Sequence, residues 1–255
     1  MKQLHLGAQL YTLRDYTKTA EDFRETMRKV KEIGYKYVQV SGAGPTVTPE
    51  VIKAAVDETG VRVILTHTSL ERIIKETEKV IEEHDLFGCD YIGVGGMGDH
   101  TESGYKKFCE DIAPAVEKIK AAGKTFLYHN HYKEFVKWTD DKNGLDIITE
   151  NSDPVGLKLT LDTYWAYYAG EDVPAVINKF GKRIAVTHFK DMQILNGERT
   201  MTEMLTGIID YDPIMKACDD NDIYWNFIEQ DRVYIDAFES MKISHDNMKK
   251  RYNLD

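Results

Sequence analysis

Several polar residues that could do chemistry stand where apolar runs stop. Asp162, His188 and Glu229 each close such a run, 26 and 41 residues apart, about one strand-plus-helix unit per step. Consecutive parallel strands aim their ends at a common spot, so these positions would gather two carboxylates and an imidazole into a mixed nitrogen and oxygen donor set. Such a set suits divalent Mn, Co, Fe, Ni or Zn better than the all-oxygen surroundings of magnesium. The run before Asp162 ends in His129, Asn130 and His131, with Glu134 close behind, and supplies candidates for a fourth ligand. Gln9, Tyr11, Ser41, His67, Asp99, His100, Tyr164, Trp165, Lys190, Asp191, Asp231 and Arg232 occupy equivalent places at or just beyond the other runs. A buried polar group without a partner costs a few kcal/mol, so each of these must pair within the fold or serve a ligand. For His67, substrate contact and structural pairing are both open. Lys190 and Arg232 suit an oxyanion or carboxylate, and Asp191 and Asp231 suit helix capping or pairing with those cations.

The elements that must position these residues read as an α/β alternation repeated eight times. Strands are expected at His5–Tyr11, Tyr37–Ser41, Arg62–His67, Tyr91–Gly95, Thr125–Asn130, Gly156–Asp162, Ile184–Phe189 and Ile223–Glu229. Runs such as VRVIL and RIAVTHF lack polar alternation, as parallel strands covered on both faces do. Amphipathic stretches lie between them at Thr19–Ile33, Thr48–Glu58, Leu70–Phe87, Tyr105–Ala122, Gly144–Asn151, Val173–Phe180, Asp212–Asp220 and Tyr234–Tyr252. Phe23, Met27, Val30 and Ile33 make one apolar stripe at helical spacing in the first of these. Eight such units without a linker predict a single domain over residues 1–255, a (β/α)8 TIM barrel whose working residues collect at the carboxyl ends of the strands. Neither GxGxxG nor GxxxxGK[ST] occurs. The segment GVGGMG at 93–98 reads as a tight turn after the fourth strand, with a floor against a ligand as its second role.

Composition narrows the function classes. With 33 Lys and Arg against 43 Asp and Glu, the net charge is −10, which disfavours nucleic acid and anionic membranes as partners. No apolar run approaches the length of a transmembrane helix, and the amino terminus lacks a secretory leader pattern. Cys89, Cys109 and Cys218 are too few and too far apart for a disulfide framework, so a reduced, cytoplasmic protein is expected. Tyr164, Trp165, Tyr167 and Tyr168 fit a sugar-stacking wall, or packing against a helix or the interface of a homo-oligomer.

The segments GAQLYTLRD, YHNHYKEF, LDTYWAYYAG, THFKD and FIEQD, in this order along nearly the whole chain, resemble the sugar phosphate isomerase/epimerase-like family of xylose-isomerase-type TIM barrels, in its YHNHxxEF subgroup. The resemblance implies a small carbohydrate substrate, metal ligands at Asp162, His188 and Glu229, and substrate contacts at His67, Lys190 and Gln9, to which His131, Trp165 and Arg232 are added as candidates. It also implies isomerisation or epimerisation through an enediolate, with Glu229 or Glu134 as base, a histidine as proton shuttle and His67 among the catalytic candidates; dehydration of a keto-inositol or 3-keto sugar is the alternative. A DNA endonuclease and a non-catalytic sugar-binding barrel are further classes on this fold. Two departures stand out. Related ketose epimerases carry a metal-binding Glu on the fifth strand where this chain has His129, so Glu134 would fold back to supply the carboxylate, or His129 or His131 would be the ligand. Before the eighth strand, MLTGIID replaces the usual GeGxiD, with Thr206 in place of its glutamate.

Overall fold

A computed structural model describes residues 4–138, 142–252 and 254. Eight parallel strands close a barrel in the order β1, β10, β7, β6, β5, β4, β3, β2. They are β1 (His5–Gln9), β2 (Tyr37–Val40), β3 (Arg62–His67), β4 (Tyr91–Val94), β5 (Thr125–His129), β6 (Leu157–Asp162), β7 (Ile184–Phe189) and β10 (Trp225–Ile228). The eightfold alternation and the closed sheet agree with the expected fold. Inside the barrel Ile64, Leu65, Leu127, Val186 and Phe227 pack together. Phe227 fits only because Gly7 on the neighbouring strand has no side chain: a Cβ there would lie 2.3 Å from the Phe227 ring.

A second, larger apolar layer lies between the strands and the helices α1 (Ala20–Ile33), α2 (Pro49–Thr59), α3 (Leu70–Lys75), α4 (Thr77–Leu86), α5 (Glu102–Ala121), α6 (Gly144–Glu150), α7 (Thr163–Tyr168), α8 (Val173–Phe180), α9 (Tyr211–Asp220) and α10 (Ala237–Tyr252). In α1 the Thr19 hydroxyl caps the Asp22 amide, and Phe23, Met27 and Val30 are buried as the stripe predicts. The helix expected over 70–87 is two helices that break at Glu76, where the Thr77 hydroxyl donates to the Ile73 carbonyl and competes with the backbone ladder.

The first strand, expected to run to Tyr11, ends at Gln9 and gives way to a 3-10 helix over Leu10–Tyr16, and two further elements were not expected from sequence. One is α7, which begins directly after Asp162. The other is an antiparallel hairpin, β8 (Asp191–Leu195) and β9 (Glu198–Thr202), inserted after β7. Asn196 and Gly197 turn it with φ of 53° and 84°, the left-handed pair that a two-residue hairpin loop requires.

Candidate active site

Strand register delivers the donors to one end of the barrel. Asp162 pairs with His188 across β6 and β7, and His188 pairs with Phe227 of β10, so Glu229 stands just beyond on the adjacent strand. His129 ends β5 on the other side of Asp162. One ligand atom from each of His129, Asp162, His188 and Glu229 falls within 4.8 Å of all the others, and all four residues are buried.

The surroundings fix each side chain. Asp162 Oδ1 accepts from the Trp165 amide at 3.0 Å and caps α7, which leaves Oδ2 facing the cluster, 3.2 Å from His129 Nε2. Asn130 ties β5 to β6 by accepting from the Asp162 amide at 2.9 Å. His188 Nε2 donates to Gln39 Oε1 at 2.7 Å, a bond that places the proton on Nε2 and turns the Nδ1 lone pair toward the cluster. Gln39 was not among the candidates. Its signal is present in the sequence all the same: a buried amide in the middle of the apolar strand YVQV.

Charge is concentrated here. Lys190, fully buried, sets its ammonium 2.8 Å from Asp162 Oδ2, 2.7 Å from Glu229 Oε2 and 2.8 Å from Asp231 Oδ2. Burial alone would raise the Asp162 carboxyl, but Lys190 and His129 outweigh it and hold it at about 2. Burial likewise opposes ionisation of Glu229, and Lys190 and His188 keep it well below the usual carboxylate range. For Asp231 burial wins and its carboxyl is raised. Lys190 is pushed down by burial and up, further, by Asp162, Asp231 and Glu229, so it stays charged.

The donor set fits a divalent cation. His188 Nδ1 lies 2.9 Å from Glu229 Oε2, yet neither atom has an aligned hydrogen-bond partner, and His129 Nδ1 is also buried without one. His188 Nδ1 and Glu229 Oε2 face each other from neighbouring strands with Asp162 Oδ2 and His129 Nε2 beside them, so the four residues could close around a cation. Two imidazoles and two carboxylates make a mixed N/O shell of the kind that suits Mn, Co, Fe, Ni or Zn.

A cavity of about 240 Å³ opens onto the cluster, lined by Tyr11, Ser41, His67, Gly95, His129, His131, Glu229 and Asp231. The His67 ring packs 5.2 Å from His129 and 5.8 Å from His188, and its Nε2 lacks a partner. Burial, then the neighbouring His129 and His188, push His67 well below its ordinary value, and burial and His129 lower His131 to about 4, so both are neutral at pH 7. Gln9 is buried, its Oε1 accepting from the Tyr11 amide while its Nε2 is unpartnered. Trp165 stands 5.7 Å from the His131 ring and 5.8 Å from the Lys190 ammonium, beside Tyr132 and Tyr168.

Other candidates lie elsewhere. Glu134 does not fold back to the cluster: its carboxylate accepts from the Tyr128 hydroxyl at 2.7 Å and the His131 amide at 2.9 Å, with His100 Nδ1 at 3.3 Å, so its oxygens are already committed. Arg232 is exposed past the rim, and the cation that faces the carboxylates is Lys190. Asp99 closes a local turn onto Thr101. Asp191 accepts from the amides of Met192, Gly207 and Ile209, so the MLTGIID segment is anchored beside the site through its backbone rather than through a glutamate.

Comparison with known proteins agrees with this architecture. Over 91% of its length the chain is 24% identical to an inosose dehydratase of Clostridium perfringens, and covers 91% of that protein. It superposes with a TM-score of 0.81 on a sugar phosphate isomerase/epimerase from Parabacteroides distasonis, 23% identical, covering 99% of this chain and all of that one. A 3-keto-D-glucoside 4-epimerase from E. coli, 17% identical, gives a TM-score of 0.74 over 97% of this chain and all of that one. Residues 27–242, most of the barrel and every residue of the His129, Asp162, His188 and Glu229 cluster, match one family model, and the chain belongs to the xylose isomerase-like TIM barrel family.

Proposed function

We propose that this chain is a metal-dependent dehydratase acting on a keto sugar or keto-inositol, removing the proton next to the carbonyl and expelling a hydroxyl from the neighbouring carbon. The observation that carries the choice of outcome is the placement of the carboxylates. Glu229 and Asp231, the two carboxylates that line the cavity, both follow β10, while His67 ends β3 and His129 and His131 stand at and just beyond the end of β5. Epimerisation by two carboxylates needs one on each face of the reacting carbon. Elimination needs a single base, which can pass the proton on to the departing hydroxyl. The inosose dehydratase relative points the same way.

Glu229 is the base in this reading, kept ionised by Lys190 and His188. His67 and His131 bind substrate hydroxyls from the cavity wall, and Trp165 packs beside His131, 5.7 Å away. His129, Asp162, His188 and Glu229 would hold the metal, which supplies Lewis-acid stabilisation of the charge that develops on a substrate oxygen. The His67 and His131 side of the cavity also favours a second reading, isomerisation or epimerisation, in which an imidazole returns the proton. A cytoplasmic setting fits the three buried free thiols.

The test is incubation of metal-loaded protein with keto-inositols and keto-hexoses in deuterium oxide. Loss of one water from the substrate supports dehydration, and solvent deuterium in a product of otherwise unchanged mass favours the second reading. If no substrate exchanges or loses water, the enzymatic reading fails and a sugar-binding barrel replaces it.

A further inference from the structure

We infer that the site has a second compartment, and that its substrate is a glycoside: a keto sugar carrying a ring-sized substituent. This rests on the reading of the cluster as a carbohydrate site and extends it to the substrate's size and shape.

Beside the 240 Å³ cavity lies a wider groove of about 690 Å³, and His67, Gly95 and His131 line both. The two spaces therefore meet along a boundary made of one glycine and two imidazoles. The smaller is below the usual range of about 300–1,000 Å³ for ligand pockets and suits one sugar ring; the larger falls inside it. The GVGGMG segment floors the groove. Gly96 has a φ of +134°, which side chains rarely adopt, and a Cβ at Gly95 would stand 3.2 Å from His67 Nδ1. Side chains at these two positions would crowd the passage. At Gly98 a Cβ would meet nothing within 4 Å, so that position is open groove.

The walls indicate the chemistry of the occupant. Leu70, Met97 and Tyr132 give apolar and aromatic surface, and Ser69 and His100 give hydrogen-bonding groups. Lys133, the one Lys or Arg among the described lining residues, is exposed. A phosphate or carboxylate would find no buried cation here, whereas an uncharged ring with an apolar face and a few hydroxyls matches the lining. Glu134, which does not reach the metal cluster, has a place in this arrangement. It grips the His131 amide on the boundary and approaches His100 on the groove wall, so one buried carboxylate positions both.

The test compares turnover of 3-keto-D-glucose with that of its methyl and phenyl β-glycosides, in the metal-loaded wild type and in Gly98→Phe and Ser69→Trp. These variants fill the groove from its floor and from the β3 side, and circular dichroism with metal content checks that each is folded. Wild type is expected to favour the phenyl glycoside over the free sugar by about tenfold or more in kcat/KM, with the methyl glycoside between, and each variant to lower that ratio about tenfold. A β-linked disaccharide in place of the phenyl glycoside distinguishes a second sugar from an aryl group as the natural substituent. Equal kcat/KM for free sugar and glycosides, or a preference unchanged in both folded variants, overturns the inference while the enzymatic reading stands. Absence of turnover or exchange with every compound overturns the enzymatic reading and this inference together.

Discussion

Two lysines are buried at opposite ends of this barrel, and they are buried for different reasons. Lys124 precedes β5, at the amino end of the strands, and donates to the Cys89 carbonyl at 2.9 Å and to Asp85, whose side chain is 63% exposed. Its partners are few and half in water, and each is locally satisfied. Lys190 follows β7 at the carboxyl end, and its three carboxylate partners include two fully enclosed oxygens. The histidines divide in the same way. His84 spends both nitrogens, on the Val80 carbonyl and the Thr66 hydroxyl, each at 2.7 Å. His67, His129 and His188 each keep a buried nitrogen without a hydrogen bond. His84, away from the cluster, is satisfied within the fold, whereas the unsatisfied imidazole nitrogens belong to residues at the cluster, where a ligand would approach.

This contrast can be broken most sharply at the cluster. Asp162→Ala and His188→Ala are each expected to take metal content from about one equivalent to none by elemental analysis; full retention in both would place the metal elsewhere. Lys190→Met removes the counter-charge from enclosed carboxylates and is expected to cost the metal-free protein about 3–5 kcal/mol in urea denaturation. Added divalent metal should recover more of that loss than it adds to wild type. Gln39→Leu frees the His188 tautomer, so metal affinity by calorimetry should fall about 10–100-fold with little change in stability. Lys124→Met should cost only about 1 kcal/mol and leave metal content as it was. A loss as large as that of Lys190→Met would erase the distinction between the two ends.

A further expected effect, absent at neutral pH, is a slope. Burial lowers His84 from 6.5 to about 4 despite the Val80 carbonyl, so between these values the unfolded chain binds a proton that the folded chain does not. Stability should therefore be complete above about pH 6.5 and decline as the pH falls toward 4. His84→Gln should flatten part of that decline without altering metal content at pH 7, and an unchanged slope would remove His84 from the account.

The eight strands were legible because their period and apolar character come from burial on both faces, a local property of each run. Asp162, His188 and Glu229 were legible as candidates because a charged residue at the end of such a run is costly unless used. The hairpin β8–β9 was also written locally, in the left-handed pair Asn196 and Gly197, yet it lay inside what reads as a connection between helical units.

Sequence by itself determined the barrel, the end at which chemistry collects and the donor types available there, since these follow from periodicity and from the cost of burying charge. Tertiary structure decided which donors meet. Glu134, three residues from His131, is turned to Tyr128, and His129 stands with the cluster. Lys190, outwardly a solvated charge, is the counter-ion of three carboxylates, and Gln39, 149 residues from His188, sets its tautomer. The physical reason is that hydrogen-bond partners are chosen by strand register and side-chain direction across the closed sheet, and a linear sequence records neither.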